Sequence, residues 1–111
     1  MPFNPDYTSN EPTRSDIDGL AGATLLEFGS ASCGHCRRAT PIVQEAFDGH
    51  PDVRHIKIED GSGRPLGRSF RVKLWPTLIL LKDGLEVGRL VRPTDGREIA
   101  AAMQMIDSPS A

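Results

Sequence analysis

The sequence predicts an α/β protein, a central mixed β-sheet flanked by helices on both faces. Three observations carry that expectation. Two compact apolar runs, Thr24-Leu25-Leu26-Glu27-Phe28 and Thr77-Leu78-Ile79-Leu80-Leu81, suit strands buried on both sides. Two longer stretches, residues 33–48 and 95–106, repeat apolar residues at the spacing of an amphipathic helix. Strand and helix patterns alternate along the chain, and Lys82-Asp83-Gly84 marks a tight turn that adds an antiparallel edge.

Each element follows from its residues. Residues 1–12 are rich in proline and asparagine, with Phe3 and Tyr7 as isolated apolar anchors, so an irregular arm is expected to fold back onto the body. A short helix is expected over 15–20, ended by Gly19 and Gly22. Residues 1–19 are thus an arm with a short helix, 20–107 the main domain and 108–111 a flexible tail. The strand 24–28 carries one acid, Glu27. In 33–48, Ala39, Ile42, Val43, Ala46 and Phe47 form one apolar stripe. Cys36 leans toward that stripe and Cys33 is left at the helix tip. Pro41 removes one backbone bond within the helix and should bend it, Gly49 is the expected C-cap, and Pro51 prevents continuation. Residues 53–59 alternate, with Val53, His55, Lys57 and Glu59 on one side and Arg54, Ile56 and Ile58 on the other. A short helix over 64–70, the strand 77–81 and its partner 86–91 follow. The last helix opens on Asp95, with Glu98 completing a capping box, and buries Ile99, Ala102, Met103 and Ile106.

The bulk properties exclude several classes. The 111 residues suffice for one domain, and a domain near this size buries about two-thirds of its unfolded surface without a metal or disulfide staple. A net charge of −2 opposes nucleic-acid binding through phosphates. No apolar run is long enough for a bilayer, and the first residues lack the basic and apolar regions of a signal peptide. A cytoplasmic monomer is expected.

The chemistry concentrates in Cys33-Gly34-His35-Cys36, which holds the only two cysteines. Residues three apart on a helix share a face, so the sulfurs can join and separate. A helix N-terminus stabilises a thiolate, and the thiolate is the attacking species. The plain alternative is a pair of small buried hydrophobes. Zinc would need four ligands, and only His35, His50 and His55 could join the cysteines. His35, inside the motif, cannot easily share a tetrahedron with both sulfurs, so no metal is expected. An imidazole at His35 would stabilise a neighbouring thiolate. His50 reads as a solvated turn residue. Arg37 and Arg38 either favour the thiolate or form a solvated face. Arg64, Arg68, Arg71 and Lys73 form a loose basic run, and Asp16 and Asp18 suggest no chemistry.

Over residues 20–107 the chain resembles the thioredoxin superfamily. The resemblance rests on the strand Leu25-Leu26-Glu27-Phe28 five residues before Cys33, on Cys33-Gly34-His35-Cys36, on Pro41 after it, on Trp75-Pro76-Thr77 opening an apolar strand, and on Lys82-Asp83-Gly84. It implies the thioredoxin fold and a thiol–disulfide oxidoreductase. Cys33 would be the attacking thiol, Cys36 the resolving thiol, Glu27 a buried acid relaying the Cys36 proton, and Pro76 a cis-proline facing the disulfide. His55 or Lys57 would occupy the family's buried-lysine position. Four positions depart from the family: Ser32 and Gly29 stand where aromatics are usual, Trp75 where a small or aliphatic residue is, and Arg92 where glycine is. These line the expected substrate surface and bear on which substrates, and which thioredoxin reductase, the protein meets. The Gly-His pair is that of protein disulfide isomerases. The resemblance implies reduction of protein disulfides without a dissociable cofactor, from an unknown electron donor. An oxidant or isomerase, or a binding module with little turnover, are the alternatives.

Overall fold

Alternation along doubly covered strands divides the interior into two layers, and that division positions the cysteines. The computed structural model describes residues 3–8 and 10–107. The elements run α1 (Arg14–Asp18), β1 (Ala23–Gly29), α2 (Gly34–Phe47), β2 (Arg54–Glu59), α3 (Pro65–Ser69), β3 (Thr77–Lys82), β4 (Leu85–Val91) and α4 (Gly96–Ile106). The sheet order is β2-β1-β3-β4. β1 is parallel to β2 through the α2 crossover and antiparallel to β3, which turns back into β4. The mixed sheet is as expected. Although α3 separates β2 from β3, these strands do not pair: β3 lies on the far side of β1.

Leu25, Leu78 and Leu80 pack with Val43 and Phe47 of α2 and with Ile99, Met103 and Ile106 of α4. Leu26, Phe28, Ile79 and Leu81 point the other way, onto Ile17 of α1, Leu66 of α3 and Phe70. Each such side chain contributes roughly 1.5–3 kcal/mol on full burial. Glu27 is two residues beyond Leu25 and so enters the α2 layer. Ile56 and Ile58 join the opposite layer, which turns His55 and Lys57 toward Glu27.

The arm does pack back. Thr8 forms a parallel bridge to Ile58, donating its N–H to the Lys57 carbonyl (2.9 Å) and accepting the Glu59 N–H (3.0 Å). Phe3 packs edge-on against Phe47, ring centroids 6.0 Å apart.

Several helix ends differ from expectation. α1 starts earlier, because Thr13 and Asp16 form a reciprocal capping box. α2 has Asp48 as its C-cap rather than Gly49, and Asp48 keeps right-handed dihedrals. Asp95 caps α4, but its carboxylate takes the Arg97 N–H (2.9 Å) instead of forming the box with Glu98. His50 is buried, not solvated: its Nδ1 lies 2.7 Å from Asp107 Oδ2, tying the end of α2 to the end of α4. The expected tail at 108–111 lies outside the described residues.

Candidate active site

Cys33 is the N-cap of α2, and its sulfur accepts the Cys36 backbone N–H at 3.3 Å. One turn on, Cys36 is 1% exposed, on the buried face with Ala39 and Val43. The two thiols are driven apart. Burial alone would push Cys33 up, but hydrogen bonds from the Cys36 thiol and from the Cys36 and His35 backbone, with the Arg92 charge, hold it below the usual thiol range. Burial, reinforced by the Cys33 interaction, pushes the Cys36 thiol up to about 11.

Beneath Cys36, Glu27 is 1% exposed and held from both sides. Tyr7 Oη donates to its Oε2 at 3.3 Å, and His55 Nε2 lies 2.9 Å from its Oε1. The His55 Nδ1 accepts the Asn4 backbone N–H at 2.9 Å, so the ring proton is on Nε2 and donates to Glu27. Between the two expected candidates, it is therefore His55 that contacts the acid. Lys57, directly opposite Glu27 in register, sends its ammonium to the Pro5 carbonyl (3.1 Å) and over the Tyr7 ring, 4.3 Å from its centroid. The Tyr7 hydroxyl also neighbours the Cys36 sulfur, the two flanking the space left by the missing side chain of Gly29. Gly29 leaves room for this: a Cβ there would lie 2.6 Å from the Cys36 sulfur and 2.7 Å from Tyr7 Oη.

On the outer rim, the Trp75–Pro76 bond is cis. Trp75 is half-buried, and its indole N–H donates to Asp60 Oδ2 at 2.9 Å. Arg92 adopts a left-handed backbone (φ 51°), and its Nε donates to the Trp75 carbonyl at 2.9 Å. His35 is exposed, and its Nδ1 accepts from Arg38 Nη2 at 3.0 Å. Arg92, then burial, then Arg38 lower its pKa, so the imidazole is a poor cation near neutrality. The positive charge beside it is that of Arg92 and Arg38. A groove lined by His35, Arg38, Ile42, Arg92 and Pro93 opens next to the motif.

Cys33, His35 and Cys36 thus share one helix tip, Tyr7 links the Cys36 side of it to Glu27, and Arg92 bonds to Trp75 and Pro76 at the rim. Tyr7 is the participant the sequence signals only as an apolar anchor. Its spacing from Glu27 carries no local pattern, and only the tyrosine's polar tip hints at a buried partner. Among the described residues no three His, Cys, Asp or Glu side chains converge to hold a metal. Asp16, silent in sequence, closes the capping box of α1, and Asp18 pairs with Arg14 at 3.0 Å.

The family model for thioredoxin matches residues 7–105. Thioredoxin of Chlamydia trachomatis is 40% identical over 76 residues, covering 67% of this chain and 74% of that protein. Thioredoxin H2-1 of Oryza sativa is 31% identical over 60% of this chain, which spans only 49% of that longer protein. Among solved structures, reduced thioredoxin 2 of Pseudomonas aeruginosa is 50% identical, with 90% of this chain and 93% of that chain covered and a TM-score of 0.82. These matches join a paired-cysteine site at a helix tip to the mixed sheet beneath it. The chain belongs to the thioredoxin family, a family of protein-disulfide oxidoreductases.

Proposed function

We propose that this protein reduces disulfides in partner proteins through Cys33 and Cys36. The carrying observation is the asymmetry of the two thiols: Cys33 is held low at the helix tip, and Cys36 is pushed to about 11 within the body. The Cys33 thiolate attacks one sulfur of the substrate disulfide. A mixed disulfide forms, and the other substrate sulfur leaves as a thiolate. Cys36 then surrenders its proton and attacks the Cys33 sulfur. The second substrate thiolate departs, two electrons have passed to the substrate, and Cys33–Cys36 is a disulfide. Glu27, buried close to Cys36, is the proton acceptor in this reading. Trp75, Pro76 and Arg92 form the substrate-facing rim, and His35 borders the peptide groove.

A reductase of thioredoxin type is the proposed electron donor, and a monomer in the cytoplasm the proposed working form. No dissociable cofactor enters these steps. No helix among the described residues is long and apolar enough to cross a membrane. The decisive assay is insulin reduction driven by dithiothreitol. Acceleration by the wild type, abolished in Cys33→Ser, is expected; no acceleration would leave the binding-module reading in its place.

A second reading, an oxidant or isomerase, is favoured by the cations at the mouth. A stabilised Cys33 thiolate stabilises the reduced protein and raises its reduction potential. Equilibration against glutathione distinguishes the two directions.

A further inference from the structure

The resolving step raises a problem of proton transfer. Cys36 must lose its proton to attack, yet it is buried, and burial pushes its thiol up. The acid available to take that proton is Glu27, whose Oε1 is occupied by the His55 donor. Its other oxygen faces Tyr7. One hydroxyl of the arm thus lies between both ends of the required transfer: it donates to Glu27 Oε2 at 3.3 Å, and it borders the Cys36 sulfur across the position a Gly29 side chain would fill. A tyrosine hydroxyl has one proton and free lone pairs, so while it donates to the carboxylate it can accept from a thiol.

Tyr7 is also held in place by independent contacts. Its ring lies under the Lys57 ammonium, which the Pro5 carbonyl anchors. Its neighbour Thr8 is bonded on both sides to β2. Gly29 has no side chain where a Cβ would collide with both the Cys36 sulfur and the tyrosine oxygen.

We propose that Tyr7 is a catalytic residue of the resolving step, its hydroxyl relaying the Cys36 proton to Glu27. This rests on the dithiol-exchange reading above. As Cys36 attacks, its S–H proton passes to the tyrosine oxygen while the tyrosine's own proton passes to Glu27 Oε2. Tyr7 ends neutral, carrying the proton that came from Cys36, and Glu27 ends as the carboxylic acid. No proton is lost or gained overall. Burial, then the neighbouring Glu27 and Cys36, push the Tyr7 hydroxyl well above its ordinary range, so it serves as a conduit and not as a resting base.

The test uses 5,5′-dithiobis(2-nitrobenzoate) on the reduced full chain. Attack by Cys33 releases one thionitrobenzoate, and attack by Cys36 on the resulting mixed disulfide releases a second. Tyr7→Phe keeps the ring and removes the relay. The first release should stay within about twofold of wild type, and the second should slow about tenfold or more near neutrality. That deficit should shrink as pH rises well above neutrality, where solvent hydroxide takes the proton. Glu27→Gln should slow the same step, and the double variant should be no slower than the worse single variant. An unchanged second release in Tyr7→Phe would overturn the proposal and assign the proton to water in the depression that Cys36, Ala31 and Arg37 line beside Tyr7. Equal slowing at every pH would also overturn it, since a merely displaced Cys36 behaves that way. Absence of insulin reduction in wild type would remove the protein-disulfide reading alone, because the two thionitrobenzoate releases still decide the relay.

Discussion

Cys33 and Cys36 are the same residue type one helical turn apart, and their surroundings push them in opposite directions. A thiol titrating near 11 is ionised in roughly one molecule in 10⁴ at pH 7, whereas Cys33 is held below the usual range. Iodoacetamide at pH 7 should therefore label Cys33 and spare Cys36 in the reduced protein. In Cys36→Ser, insulin should become trapped as a mixed disulfide on Cys33. Peptide mapping that places the label mainly on Cys36 would refute the assignment. Arg92 contributes to both Cys33 and His35. Arg92→Gly removes that charge at a left-handed position that glycine adopts readily (φ 51°), so folding should be preserved. The alkylation midpoint of Cys33 should then move up and the His35 titration should also move up, toward its ordinary value. Since a lower Cys33 value favours the thiolate, the variant should be the weaker oxidant against glutathione. Opposite shifts in the two titrations would exclude Arg92 as their common cause.

The elements show why these side chains can be placed so closely. α2 is anchored at both ends: Cys33 caps its start, and His50 just beyond its end bonds Asp107 beyond α4. The hairpin of β3 and β4 turns through Asp83 (φ 51°) and Gly84 (φ 81°), and the N–H of Asp83 donates to the Gly22 carbonyl at 2.9 Å. Gly84 also presses against the backbone carbonyl of Asp18, leaving no room for a Cβ. Gly84→Ala should therefore cost at least about 1–2 kcal/mol, from the left-handed backbone and the crowding together. Urea unfolding monitored by far-UV dichroism measures it, and a loss below about 0.5 kcal/mol would show that the turn and α1 shift without penalty. The hairpin was legible because Lys82-Asp83-Gly84 specifies its own turn. The α4 cap was legible only as Asp95, because whether a carboxylate takes the second or third N–H depends on the nearby Arg97 guanidinium. The separation of β2 from β3 was not legible, since a short connecting helix does not state which side of β1 the next strand joins.

At the scale of the whole molecule, the arm completes the interior instead of decorating it. Contacts distant in sequence converge on one buried cluster: Asn4 on His55, Pro5 on Lys57, and Tyr7 on Glu27. The motif, the acid and the proline segment could be read from sequence because each lies in a local pattern. Strand parity brought His55 and Lys57 to the same face but could not choose between them. The choice follows from reach: the short imidazole stops at Glu27, while the longer lysine extends past it to the arm. Tyr7 was hidden for the same reason, since its partners are fixed only once Thr8 has docked on β2. Deleting residues 1–8 should therefore do more than shorten the chain. It removes the Phe3 contact with Phe47, the cover of Lys57 and the Asn4 donor that fixes the His55 ring proton on Nε2. Lost apolar burial and buried polar groups left unpaired should together cost about 3 kcal/mol or more. The Cys33 alkylation midpoint should change little, because its α2 and Arg92 partners lie outside the arm. The second thionitrobenzoate release should slow at least as much as in Tyr7→Phe. A truncated protein with unchanged stability and an unchanged second release would show that the arm is dispensable cover, and that the Glu27 cluster works without it.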